Sequence, residues 1–202
     1  MILIGLVGTA GCGKTTLAKA YADATGNGFI KTSTSEVFKK HNLDPKVRMT
    51  MQERLIVQND ILDTLLDQWL AHESDEGVFI TDRTPYCMIT FTLAEVSGYG
   101  SLDPYTESLL SSYIMRCHLA ARAFASIIHV PMGIPLVADP TGKVRASGGV
   151  GYNAHYDLLL KGLLKERMFG APHSFYELSG TDLAERVQQT KRIVASVLSD
   201  PM

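Results

Sequence analysis

The first fifteen residues, MILIGLVGTAGCGKT, leave a chain few ways to fold. Met1 to Val7 is an apolar run of strand length that ends at Gly8. Gly8, Gly11 and Gly13 follow within six positions, and a helical pattern sets in near Thr15. Glycine reaches backbone angles closed to other residues, so such a bend can turn successive N–H groups inward. The helix behind it adds its own unpaired N–H groups and the positive end of its dipole. A buried strand, a tight bend and a returning helix are the opening unit of a parallel α/β sheet.

The bend itself, Gly8-Thr9-Ala10-Gly11-Cys12-Gly13-Lys14-Thr15, matches G-x-x-x-x-G-K-[ST] at every fixed position, and Thr16 adds a second hydroxyl. In this pattern the loop amides cradle phosphates, Lys14 brings a full charge to the β- and γ-phosphates, and the Thr15 hydroxyl is placed for Mg²⁺. Gly8, Thr9, Ala10, Gly11, Cys12, Gly13, Lys14, Thr15 and Thr16 are the expected nucleotide-binding residues. The stretch resembles the phosphate loop of P-loop NTP-binding proteins. Cys12 is an unusual filler of a variable position. Its simplest role is that of a small residue. The competing expectation is a reactive thiol at a helix N-terminus, which an alkylating reagent would modify and ATP would protect.

Beyond the loop, strand-like and helix-like segments alternate. Phe29-Ile30, Gly77 to Asp82, Ser126 to Val130 and Phe175 to Leu178 read as four further strands. Helices are expected through Glu36 to Phe38 and from Thr50 to His72, and from Pro85 towards Val96. Three more are expected from Asp103-Pro104 to about Arg122, from Tyr152 to Met168 and from Asp182 to Leu198. Pro85 and Pro104 suit first helical positions. Gln58 and Asn59 interrupt the apolar stripe of the Thr50 helix; solvent is their expected direction, a polar ligand the alternative. Alternation of this kind means a parallel sheet covered by helices on both faces. In such sheets ligands sit beyond the carboxyl ends of the strands. Gly8, Thr32, Asp82 and Pro131 all fall at such ends and should converge.

Composition narrows the function. The chain has 202 residues and a formal net charge of −2, so long-range binding to a polyanion has no global electrostatic support. No apolar run approaches the roughly 20 residues that cross a bilayer. The N-terminal run lacks a basic region before it and reads as a strand rather than a signal peptide. Cys12, Cys87 and Cys117 form neither metal spacing nor a disulfide framework, which fits a reducing cytoplasm, the host's if the chain is phage-encoded. No N-K-x-D supports a GTPase, and no apolar run ending in two carboxylates supports an AAA+ motor.

The informative partner of the loop is Val78-Phe79-Ile80-Thr81-Asp82-Arg83-Thr84-Pro85. Phosphoryl transfer needs one carboxylate near the nucleophile and cations around the moving group. Asp82-Arg83 followed by a hydroxyl residue resembles the D-R-[STY] signature of nucleoside and nucleotide kinases. The whole pattern is similar to small ribosylnicotinamide-kinase-like and phage-borne P-loop kinases. That resemblance implies an α/β three-layer P-loop NTPase fold with a parallel five-stranded sheet, residues 1–202 forming one domain. It also implies ATP and Mg²⁺, with Thr15 and Asp82 at the metal and Lys14, Asp82, Arg83 and Arg145 as catalytic residues. Lys143 and Arg145 would belong to a lid spanning about 131–151, with Gly142, Gly148 and Gly149 as hinges; an ordinary exposed loop is the alternative. Thr32 to Glu36, Arg48, Arg54, Gln58 and Tyr86 would face the acceptor, and Phe175 to Gly180 would hold the adenine. The acceptor would be a nucleoside, a nucleotide or a similar small molecule. A hydroxymethylpyrimidine in DNA and a regulatory ATPase working through a protein partner stand as alternatives, and a homodimer is compatible with either.

Overall fold

The computed structural model describes residues 1–43, 49–133, 149–165 and 174–199. Five strands form one sheet: β1 (Ile2–Val7), β2 (Gly28–Ile30), β3 (Val78–Thr81), β4 (Phe124–His129) and β5 (Ser174–Glu177). Their order is β2-β3-β1-β4-β5 and every pairing is parallel. Seven helices accompany them among the described residues: α1 (Lys14–Thr25), α2 (Ser35–Lys40), α3 (Met51–Leu70), α4 (Pro85–Val96), α5 (Pro104–Ala121), α6 (Val150–Lys165) and α7 (Leu183–Ser199).

β1 is central, which explains its unbroken apolar run. Strand side chains alternate between faces. Leu3 and Val7 join one core with residues of α3, α4, α5 and α6, while Ile4 and Leu6 join a second core with α1 and α7. The expected three layers are therefore present. Trp69 of α3, 2 % exposed, stands edge-on to Phe124 of β4 with ring centroids 5.0 Å apart.

The helix starts follow local chemistry. Thr50 caps α3 in a capping box: its hydroxyl accepts from the Glu53 N–H at 3.2 Å, and the Glu53 carboxylate accepts from the Thr50 N–H at 2.8 Å. Asp103 caps α5 through the N–H groups of Tyr105 and Thr106, and Pro104 takes the first helical position. Thr84 caps α4 ahead of Pro85. Gly5 lets this cap approach β1, since a Cβ there would lie 2.4 Å from Thr84 Cγ2.

Two expectations shift. Gln58 does not point to solvent: it is 5 % exposed and accepts from the Tyr113 hydroxyl of α5 at 3.4 Å. Asn59 donates to the Leu55 carbonyl and accepts from Arg116. Both amides thus serve the α3–α5 contact. Of the segment 131–151, residues 134–148 lie outside the described residues, so Lys143 and Arg145 do too, and Val150 already begins α6. Arg48 also lies outside them. None of the described helices is long and apolar enough to cross a membrane.

Candidate active site

The sheet order decides what meets at its carboxyl edge. β1 has β3 on one side and β4 on the other, so the loop after β1 lies between the ends of both. Within that loop Gly8, Gly11 and Gly13 all take positive φ, at 146°, 83° and 95°. Gly8 is also sterically closed: a Cβ would sit 2.4 Å from the Val130 carbonyl oxygen and 2.8 Å from Cys12 Sγ. Gly13 turns the chain into α1, whose first intrahelical bond runs from Leu17 N–H to Gly13 O at 2.9 Å.

Lys14 Nζ lies over this curl. It donates to the carbonyls of Gly8 and Thr9, both at 2.7 Å, and lies 3.7 Å from Cys12 Sγ. Thr9 is buried, Ala10 and Gly11 are half-buried, and Thr15 and Thr16 are exposed at the start of α1. Cys12 is 2 % exposed. A thiol packed under the loop is poorly placed for an alkylating reagent, so the structure favours the small-residue reading.

The carboxylate arrives from β3. Asp82 accepts from the Thr15 hydroxyl through Oδ2 and from the Thr32 hydroxyl through Oδ1, the latter at 2.9 Å. Thr15 comes from the first turn of α1, Thr32 and Asp82 from just beyond the ends of β2 and β3, and each is accessible from solvent. Hydroxyl and carboxylate oxygens form the hard donor set that suits Mg²⁺ when phosphates complete the shell. A curl at whose first glycine a Cβ has no room, a lysine held by atoms of the loop alone and this cluster of oxygens together fit a metal-bound nucleotide.

The neighbours of Asp82 divide. Arg83 is half-buried, and its charge acts on the Tyr113 and Tyr156 hydroxyls, whose phenols burial pushes well up. It has no ion-pair partner among the described residues. Thr84, the hydroxyl of the D-R-T triplet, is fully buried and caps α4. Glu36 is not brought to the site: its carboxylate is exposed and pairs with Lys39 at 2.7 Å. Arg54 is 6 % exposed; it pairs with Glu95 of α4 at 3.3 Å and stacks over Phe91 at 5.4 Å. The Tyr152 hydroxyl of α6 donates to the same Glu95 at 3.4 Å. Tyr86 is buried edge-on to Phe175 at 5.5 Å, and burial lifts its phenol to about 12.

Sequence reasoning missed two groups. His129, at the end of β4, sits between Asp157 of α6 (3.1 Å) and Glu177 of β5 (3.3 Å), and Lys161 also holds Asp157 at 2.8 Å. Arg186 of α7 reaches under the phosphate loop and donates to the Cys12 carbonyl at 2.8 Å. Neither has a local signature, because Asp157 and Glu177 lie 28 and 48 residues from His129 and Cys12 lies 174 from Arg186.

A family model described as an AAA domain matches residues 3–186. No curated protein sequence matches the chain. Solved structures match it in fold. Thymidylate kinase from Candida albicans aligns over 96 % of this chain and 91 % of its own, at 14 % identity and a TM-score of 0.66. A deoxyadenosine kinase from M. mycoides, with dCMP and dCDP bound, aligns over 96 % and 100 %, at 15 % identity and a TM-score of 0.66. NadR in complex with NR aligns over all of this chain and 52 % of its own, at 14 % identity and a TM-score of 0.66. At these identities the likeness is one of fold.

Proposed function

This chain belongs to the AAA domain family and folds as the P-loop nucleoside and nucleotide kinases do; from that premise we propose that it transfers the γ-phosphoryl group of ATP to a nucleoside, a nucleotide or a similar small acceptor. The observation that carries the proposal is the convergence of the Thr15 and Thr32 hydroxyls on Asp82 beside the glycine-rich loop. One carboxylate held at the mouth of a phosphate cradle is what phosphoryl transfer needs, since that chemistry is mostly positioning and charge neutralisation.

Thr15 and Asp82 would hold Mg²⁺, which when bound neutralises charge on the phosphate oxygens. The loop amides from Gly8 to Thr15 bind the phosphates. Lys14 exchanges its bonds to the Gly8 and Thr9 carbonyls for phosphate oxygens. Asp82 accepts the proton of the acceptor hydroxyl as its oxygen bonds to the γ-phosphorus and the bond to the β,γ-bridging oxygen breaks. Thr32 holds the other carboxylate oxygen and so keeps Asp82 turned towards the loop. Arg83, without an ion-pair partner among the described residues, neutralises the acceptor's phosphate or orients its sugar. Lys143 and Arg145 are proposed to close over the phosphates from a lid at about 131–151, within a single domain of residues 1–202. The likeness in fold to a deoxyadenosine kinase with dCMP bound and to NadR in complex with NR supports a nucleoside-like acceptor.

The test is γ-labelled ATP against nucleosides, nucleoside monophosphates, nicotinamide riboside and hydroxymethyluracil-containing DNA, with Lys14→Ala as control. Labelled product from a small acceptor, absent in the control, is the expected result. Label in DNA alone would move the acceptor to the polymer. ATP binding with no labelled product from any acceptor would refute a kinase and favour a regulatory ATPase.

A further inference from the structure

Arg186 is 1 % exposed and, after Trp69, the largest fully buried side chain among the described residues. Burying a cation is costly unless a charge or several hydrogen bonds compensate it. Here each partner among the described residues is a neutral backbone carbonyl. Nε donates to Gly180 O at 3.0 Å, Nη1 to Cys12 O at 2.8 Å and Nη2 to Pro131 O at 3.1 Å. No carboxylate lies within ion-pair distance of it among the described residues.

The three carbonyls belong to three segments: the phosphate loop, the exit of β4, and the turn from β5 into α7. A guanidinium is planar and presents its donors in a fixed fork, so one side chain sets the spacing of all three. Other contacts support the same arrangement. A Cβ on Gly133 would lie 3.0 Å from Thr181 Cγ2, so the β4 exit runs against the β5–α7 turn. Gln189 of α7 holds that turn from its far side, accepting from Ser179 N–H at 2.8 Å and donating to Ser179 O at 3.2 Å and Oγ at 2.9 Å. α7 thus grips the turn with two side chains, and one of the two also grips the phosphate loop.

We propose that Arg186 is a positioning residue that fixes the distance between the phosphate loop and the β5–α7 turn, so that the site selects a nucleoside triphosphate over a polyphosphate without a base. The inference rests on the proposed function, in which the loop takes the phosphates, and on the expectation that Phe175 to Gly180 lie against the base. Lysine cannot replace arginine here, because one ammonium cannot span three carbonyls in a fork. A role confined to stability would weaken every ligand alike; a spacing role changes the ratio between ligands.

The experiment measures that ratio by titration calorimetry with a non-hydrolysable ATP analogue and with inorganic tripolyphosphate, at fixed ionic strength and Mg²⁺. Wild type should prefer the nucleotide by roughly tenfold or more, as one or two hydrogen bonds and stacking on the base would provide. Arg186→Lys should lose most of that preference while tripolyphosphate affinity changes by no more than about threefold. Gly180→Ala perturbs the other end of the clasp in an exposed turn, at φ +71° and with its Cβ 3.0 Å from Glu185 Oε2, and should collapse the same ratio. It decides the question if Arg186→Lys does not fold. A folded variant with the wild-type ratio overturns the inference. So does a wild type that binds both ligands equally, which leaves the kinase reading standing. A wild type that binds neither ligand overturns the nucleotide site itself, and this inference with it.

Discussion

Replacing Gly8 by alanine separates two demands on the phosphate loop, backbone angle and space. Gly26, at the end of α1, provides the comparison. Both glycines have positive φ, 146° at Gly8 and 76° at Gly26. A Cβ on Gly26 meets nothing within 4 Å, whereas one on Gly8 lies 2.4 Å from the Val130 carbonyl oxygen. That oxygen cannot retreat freely, because Val130 N–H is tied to Val7 O at 2.8 Å in the sheet. Gly26→Ala should therefore cost only the backbone term, about 1–2 kcal/mol. Gly8→Ala adds overpacking of about 1–3 kcal/mol, for a total of about 2–5 kcal/mol. In a chain of this size each kcal/mol lowers Tm by about 2–4 °C, so midpoints of about 5 °C and about 10 °C are expected. Differential scanning calorimetry measures both shifts. Calorimetric titration of an ATP analogue adds the functional half: binding is lost in Gly8→Ala and kept in Gly26→Ala. Equal Tm shifts, or full nucleotide binding by Gly8→Ala, would refute the claim that the closed approach of Gly8 to β4 shapes the cradle.

Thr32→Val keeps the side-chain volume and removes the donor to Asp82. A hydrogen bond to a charged group is worth about 1.5–3 kcal/mol, and water can partly replace this half-exposed one, so kcat should fall roughly tenfold. KM for ATP should hold, and Thr32→Ser should restore the rate; an unchanged kcat in Thr32→Val would remove Thr32 from the site. Trp69→Ala should destabilise by about 3–5 kcal/mol in urea unfolding, as a buried Trp lost from a packed core does. A loss below about 1 kcal/mol would mean that α3 does not anchor on β4 as described. Hydrogen bonds from the Thr106 hydroxyl and N–H and from the Tyr105 N–H hold the Asp103 carboxyl below its ordinary value. The stability it contributes is complete above the ordinary carboxylate value and lost as pH falls through the depressed one. The Tm gap between wild type and Asp103→Ala should accordingly be widest near neutrality and close in acid; a gap that widens in acid would contradict the cap.

Much of the site is legible in the chain because its parts are neighbours in sequence. Gly8 to Thr15 spans eight residues, and its backbone demands are local. Thr84 with Pro85, Asp103 with Pro104 and Thr50 with Glu53 each mark a helix start within four residues. Cys12 shows the limit of such reading. A helix N-terminus can be seen in the sequence, but not the burial that withdraws the thiol from reagents. Gln58 shows it again: an amide in an apolar stripe reads as a solvent-facing break until α5 brings Tyr113 against it.

What the sequence determined by itself is the set of local units: an apolar strand, a glycine curl, a lysine and hydroxyl pair, a strand ending in Asp82-Arg83, and the helices between. Short-range sterics and capping decide those. Which strands lie side by side was decided only by the tertiary structure. The order β2-β3-β1-β4-β5 sets Asp82 against Thr15 and Thr32, separated from it by 67 and 50 residues. The same packing carries Arg186 across 174 residues to the carbonyl of Cys12. Periodicity and capping chemistry act over a few residues. A buried guanidinium, by contrast, takes whichever carbonyls the packed sheet and helices bring within reach.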